Sequence, residues 1–214
     1  MDEASLRLLI DGFGTTIWLS LLSMSLSMVL GTAVGVMRVS PIGAVAALAS
    51  GYTEFFRNIP LLIVLFFTLN GLPYMGITLP FFWVGVAGLT VYTGAYVAEV
   101  VRAGLQAIGA NLVEASRSLG LSWLQTMRYV LLPFTFRTVI PPMGTLFIAL
   151  VKNTSLASAV AVPDLLYQSE VIEGRTFNPD IFIIAGMMYL LLTLPLAALV
   201  NVAEQRLALD RVVR

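Results

Sequence analysis

The chain has 214 residues, of which 58% are hydrophobic and 11% charged; twelve Lys+Arg balance twelve Asp+Glu, and there is no His or Cys. A soluble domain carries about 25% charge, so much of this surface is expected to face lipid. The absent residue types exclude disulfides, thiolate metal sites, a cysteine nucleophile, an imidazole base and the usual zinc site, while a single lysine and zero net charge leave no polybasic face for nucleic acid.

No charged residue occurs from Gly12 to Met37. About 20 apolar residues cross roughly 30 Å of hydrocarbon, so a first span is predicted over 12–37. Its flank (Asp2, Glu3, Arg7, Asp11) is net acidic and its apolar run too long for a signal peptide, which predicts a retained helix. Gly31-Thr32-Ala33-Val34-Gly35 has the small-xxx-small form that packs against another helix. Residues 42–50 are small and apolar and either extend the next helix or lie along the interface. The charge-free stretch from Asn58 to Ala98 holds two spans, 58–72 and 81–101, with Asn70-Gly71-Leu72-Pro73 as the turn between them. The earlier of these is short and is expected to begin near Tyr52. Glu54 with Arg57, and Glu99 with Arg102, are three apart and can meet on one helix face. They read as interfacial ion pairs or, for Arg57, Glu99 and Arg102, as an inner gate. Trp18, Tyr52 and Trp83 suit an interfacial belt. A fourth span, 136–156, is interrupted by Lys152, and a fifth covers 181–203. The fold class is therefore all-α: one polytopic domain over 1–214 with five transmembrane helices.

With five spans the termini lie on opposite sides. One side collects Arg38, Arg57, Arg102, Arg117, Arg128, Arg137, Arg206, Arg211 and Arg214, while the other has Arg7 and Arg175 and an acidic loop over 157–180. Basic residues favour the cytoplasm, which puts the N-terminus outside and the C-terminus inside.

The longest basic connection contains two helix-start signals. Asn111-Leu112-Val113-Glu114 has the form of a capping box opening a helix over 112–119, and Gly120 suits a left-handed stop. Ser122-Trp123-Leu124-Gln125 repeats the form and opens a second helix toward Leu132-Pro133. Together they predict a rigid knob within 106–133. Glu114 either only caps its helix or belongs to a surface that the small Ala115 and Ser116 let a partner approach.

Lys152 falls about fifteen residues past Arg137, roughly 22 Å along a helix, inside the bilayer. A cation there costs about 2.5–3.5 kcal/mol. It either snorkels to the interface or forms, with Asn153, Thr154 and Ser155, a polar patch on a translocation path. Pro141-Pro142 removes backbone donors and makes room for such a patch.

Glu114-Ala115-Ser116, Gly120 and Val130-Leu131-Leu132-Pro133 resemble the EAA loop of bacterial ABC-importer permeases (E-A-A, three residues, G, nine residues, I-x-L-P). The flanks Ala95-Tyr96-Val97-Ala98-Glu99-Val100-Val101-Arg102 and Lys152-Asn153-Thr154-Ser155-Leu156-Ala157-Ser158 resemble its polar-amino-acid branch. Arg38-Val39-Ser40-Pro41 and the ending from Leu192-Thr193-Leu194-Pro195 through Glu204-Gln205-Arg206-Leu207-Ala208 look most like actinobacterial glutamate permeases. Ser116 in place of the second Ala is the one departure. The resemblance covers nearly the whole chain. It implies a type I importer permease core in the bacterial cell membrane, with Glu114, Ala115, Ser116, Gly120, Leu132 and Pro133 coupling to an ATPase. It also implies two ATPase subunits, an extracellular binding protein and a second permease, a homologue rather than a copy.

No G-x-x-x-x-G-K-[ST] occurs, so the chain builds no phosphate loop. It is expected to be a non-catalytic subunit binding no cofactor, with ATP and Mg used by the partner. Where many members of that family carry Asp, this chain has Asn153. One cation without an adjacent acid suits an acidic amino acid, glutamate first, with glutamine, aspartate or arginine as alternatives. A secondary transporter is the other class, but the sequence shows neither a pseudo-repeat nor an acid deep in a span. A polytopic enzyme would need a polar cluster that is missing.

Overall fold

The computed structural model describes residues 2–108 and 110–212, leaving the side chains at 110, 111, 136, 137 and 206–212 outside the description. The basic side chains of Arg137, Arg206, Arg211 and Arg214 therefore lie outside the described residues. The elements described are α1 (Glu3–Arg38), α2 (Gly43–Asn58), α3 (Leu61–Phe66), α4 (Phe81–Ala107), α5 (Ala110–Ser118), α6 (Trp123–Thr126), α7 (Leu132–Asn153), α8 (Leu165–Thr176) and α9 (Asp180–Val212), with short π and 3-10 turns between some of them. No strand occurs among the described residues.

Among the described residues, four helical stretches are long and apolar enough to cross a membrane: Glu3–Arg38, Phe81–Ala107, Thr138–Val160 and Asp180–Gln205. The fifth candidate is a pair, Gly43–Asn58 and Leu61–Met75, bent by 107°. The expectation that the second span begins near Tyr52 is thus corrected, because the chain turns a corner at Ile59-Pro60. Proline disfavours the helical region for the residue before it, and Ile59 is extended at φ −109°, ψ 148°. The same segment also continues past the expected turn. Residues 70–73 remain helical, and the reversal comes at Gly76, whose φ of +80° closes the 3-10 turn Leu72–Met75.

α1 and α4 form the most extensive helix pair. Between lipid-facing helices no water-driven force operates, so close approach depends on small side chains. α1 supplies them along one stripe: Gly12, Thr16, Ser20, Ser23, Ser27, Gly31 and Gly35 are all buried. A Cβ on Gly31 would lie 2.5 Å from Val97, and one on Gly35 would lie 2.8 Å from the Ala98 carbonyl oxygen. The seam expected at Gly31–Gly35 therefore packs inside this chain, against α4, and is longer than the two glycines suggested. Ser27 Oγ donates to the Thr90 carbonyl 3.2 Å away, tying the stripe to α4.

At the other end of the stripe, α1 meets α8. A Cβ on Gly12 would lie 2.8 Å from the Asp164 carbonyl oxygen, and Thr16 Oγ1 accepts from the Leu165 N–H at 3.1 Å. The segment 157–180 is accordingly no plain loop. Asp164, expected as a solvent-facing acid, is buried. It caps α8 by accepting from the Tyr167 N–H (2.9 Å) and accepts from the Tyr189 hydroxyl of α9 (3.1 Å). Burial is the main cause pushing its carboxyl up to about 6 from 3.8, and nearby Glu170 adds to it. A carboxyl that holds its proton more tightly when folded contributes stability that fades as pH rises through about 6. Moving from pH 7 to pH 5 should stabilise the wild type by about 1 kcal/mol relative to Asp164→Asn, a Tm difference of about 2–4 °C. Parallel melting curves for the two proteins would refute this assignment. Tyr52, expected at an interface, instead donates to the Val91 carbonyl at 2.6 Å and holds α2 against α4, whereas Trp18 and Trp83 are exposed.

Candidate functional site

The predicted residues fall into three groups in the fold. The first is the knob. Its leading helix α5 runs Ala110–Ser118, two residues earlier than expected at its start. Asn111 therefore sits inside the first turn rather than at the cap, and its side chain lies outside the described residues. The C-terminal stop forms as expected. Gly120 is left-handed at φ +77°; its N–H donates to the Arg117 carbonyl at 2.9 Å, and the Leu121 N–H donates to the Ser116 carbonyl at 3.1 Å. These are the two bonds of a Schellman motif. Glu114 and Ala115 are exposed, whereas Ser116 is buried with its hydroxyl donating to the Leu112 carbonyl at 2.7 Å. Ser116 therefore faces inward, and the surface open to a partner is carried by Glu114 and Ala115.

The second start signal forms in full. The Gln125 N–H donates to Ser122 Oγ at 3.3 Å, and the Ser122 N–H donates to Gln125 Oε1 at 2.8 Å. The helix it opens, expected to run toward Leu132-Pro133, does not stop there. α6 runs through a π turn, Met127–Leu131, straight into α7. Pro133 would clash with the carbonyl four residues earlier in an ordinary α-helix. That residue, Tyr129, lies in the π turn, and such widened turns relieve helices under local strain. The knob is thus continuous with the span carrying Lys152.

The second group is the set of charged residues at the basic ends of α1, α2 and α4. Glu99 is their hub. Its carboxylate accepts from Arg38 of α1 and from Arg102 of α4, and it lies 3.5 Å from Arg57 Nη1 of α2. All three arginines named or implied in the cluster thus converge on one carboxylate whose side chain is 24% exposed. The expected Glu54–Arg57 pair is not what forms, since Glu54 faces Arg38 at 3.6 Å. The short connection over 39–42 folds α2 back against α1, which sets Glu54 beside Arg38 at the end of α1. Arg38 was missed as a member; its place directly after a charge-free span was the available signal. Arg57 also lies over the Tyr96 ring, 5.7 Å from its centroid, and its carbonyl accepts from the Tyr96 hydroxyl at 3.4 Å.

The third group is the polar patch at the end of α7. It divides between two environments. Lys152 is exposed, and Asn153 lines a cleft of about 230 Å³ with Tyr92, Thr93, Tyr96 and Leu146. Thr154 is fully buried and donates to the Val151 carbonyl at 2.7 Å, so it does not line a path. Ser155 spends its hydroxyl on the Lys152 carbonyl at 2.8 Å. The 3-10 turn Thr154–Val160 causes this split, because its tighter winding rotates successive side chains away from one face. Tyr92 and Tyr96, to which the sequence assigned no place on the route, put two hydroxyls 3.1 Å apart beside Asn153. Their i, i+4 spacing on α4 was the legible sign. No group of three or more metal-ligating side chains occurs among the described residues.

Residues 27–209 match the family described as binding-protein-dependent transport system inner membrane component. Among curated relatives, the probable glutamine ABC transporter permease GlnM of Bacillus subtilis is 42% identical over 92% of both chains. The glutamate transport system permease GluC of Corynebacterium efficiens is 33% identical over 95% of both. The crystal structure of an amino acid ABC transporter with histidines superposes with a TM-score of 0.85 at 33% identity, covering 96% of this chain and 99% of that one. The inward-facing MetNI methionine ABC transporter shares the fold, with a TM-score of 0.80 at 23% identity.

Proposed function

The chain belongs to the binding-protein-dependent transport system inner membrane components, of the ABC-importer permease type, and we propose that it carries a polar amino acid across the membrane as the non-catalytic half of an ATP-driven importer. The observation that carries the reading is the knob. An exposed, firmly stopped helix presents Glu114 and Ala115 at the basic end and leads through α6 into α7. A separate ATPase subunit seats on that helix, and its closure on ATP and Mg tilts α7 as a lever. Each of two ATPases needs one such knob, so a second permease completes the assembly, a homologue by the likeness to actinobacterial glutamate permeases. An extracellular binding protein delivers the substrate. The arginine-rich end lies in the cytoplasm, following the usual bias of basic loops.

Glutamate is the proposed substrate, with Asn153, Tyr92 and Tyr96 lining the route and Lys152 supplying the cation. Glutamine is the second reading, favoured by the 42% identical relative named for it; an amide would use the same uncharged cleft. Neither reading suits arginine, because a cation beside Lys152 would be repelled. The deciding experiment is uptake of labelled glutamate, glutamine and arginine by the reconstituted complex with ATP on the ATPase side. Glutamate uptake should exceed that of arginine and should fall about ten-fold in Lys152→Met, the worth of one charge contact of roughly 1.4 kcal/mol. Glutamine uptake should fall much less. Full glutamate uptake in that variant removes Lys152 from the route.

A further inference from the structure

A second cleft, of about 490 Å³, opens at the basic end behind the knob. Its walls come from four elements: the end of α1 (Arg38, Val39), the end of α4 (Leu105, Gln106), α5 (Val113, Arg117) and α6 with its following turn (Trp123, Thr126, Met127). It is separate from the Asn153 cleft, and the proposed transport route does not use it.

Two features of the lining define an occupant. Among the described residues the lining contains two arginines and no acid. The rest of the lining is largely apolar, with Leu105, Met127 and Leu131 beside Trp123. A free anion would use the arginines and leave that floor bare. A phosphate carried on an apolar body uses both, and guanidinium groups match phosphate oxygens well. The volume is in the range of ligand pockets. Basic pockets at the cytoplasmic ends of membrane helices face the leaflet that holds anionic lipid.

We propose that this cleft binds the phosphodiester head of an anionic phospholipid. Arg117 holds the phosphate, Arg38 adds positive charge from the wall of the cleft, and the Leu105–Met127–Leu131 floor takes the glycerol backbone and first methylenes. The lipid then bridges the ends of α1 and α4 to α5 and braces the knob from behind.

The test is native mass spectrometry of the intact transporter, titrated with phosphatidylglycerol, with phosphatidylcholine of the same chains, and with inorganic phosphate. Wild type should retain phosphatidylglycerol in preference to phosphatidylcholine. Arg117→Gln should lose about five-fold of that preference, the worth of one cation near a lipid head, and Arg117→Lys should recover it. Arg117 is exposed, so neither variant threatens the fold. Equal retention of the two lipids, or an unchanged preference in Arg117→Gln, would overturn the proposal. Displacement of phosphatidylglycerol by inorganic phosphate would also overturn it, by showing that the apolar body contributes nothing. The measurement needs neither ATP nor amino acid, so its failure leaves the transport reading untouched.

Discussion

Replacing Gly120 with valine is expected to cut ATP-driven uptake by an order of magnitude or more while leaving the amount of protein in the membrane unchanged. The reason lies in the backbone alone. Gly120 has φ +77°, and a Cβ there would meet nothing within 4 Å. A left-handed L-residue nonetheless costs about 1–2 kcal/mol, and β-branching puts valine at the upper end. Two kcal/mol is roughly a thirty-fold change in a local equilibrium, enough to open the two bonds from Gly120 and Leu121 that end α5. α5 is a short helix, with no helical turn to spare if its last turn frays. The ATPase would then meet a surface whose Glu114 and Ala115 are no longer held in place. Asparagine tolerates the left-handed region, so Gly120→Asn should keep most of the uptake. Co-purification of the ATPase with each variant separates docking from later steps. If Gly120→Val transports normally, the stop of α5 has no part in coupling.

Glu99→Gln should produce the largest loss of stability. The substitution keeps the shape and removes the one negative charge on which Arg38, Arg57 and Arg102 converge. Breaking a partly buried ion cluster by removing one partner costs about 3 kcal/mol or more, so the Tm in detergent should fall by about 6–12 °C. Glu54→Gln serves as the control. Glu54 is 59% exposed and 3.6 Å from Arg38, and exposed pairs contribute little. The same pair of variants tests whether Arg57, Glu99 and Arg102 form an inner gate, as proposed from their spacing. A gate held shut by Glu99 predicts amino-acid leak without ATP in Glu99→Gln liposomes. Loss of Tm with tight liposomes would instead assign the cluster to joining α1, α2 and α4.

The features legible in the sequence were those that depend on neighbours along the chain. Charge-free stretches marked the spans, because a lipid core excludes charge whatever the tertiary arrangement. Ser122 with Gln125 and the stop at Gly120 were legible for a similar reason: caps and left-handed turns are made by residues within one helical turn. Pro60 and Pro133 were visible too, yet their consequences were not. Proline dictates that a regular helix cannot continue unchanged, and the surrounding packing decides between a 107° corner and a π turn.

Partnership across helices was decided by the tertiary structure alone. Spacing paired Glu54 with Arg57, since residues three apart share a helix face, but the packing of α2 against α1 brought Glu54 to Arg38 across sixteen positions of sequence. Thr154 and Asp164 read as polar surface, and the 3-10 turn and the capping of α8 buried both. Along α1 the sequence marked only Gly31 and Gly35 as a packing seam, and burial extends it through 12, 16, 20, 23 and 27. That α4 and α8 are what it packs against follows only from the assembled fold, because a small side chain specifies closeness without specifying to what.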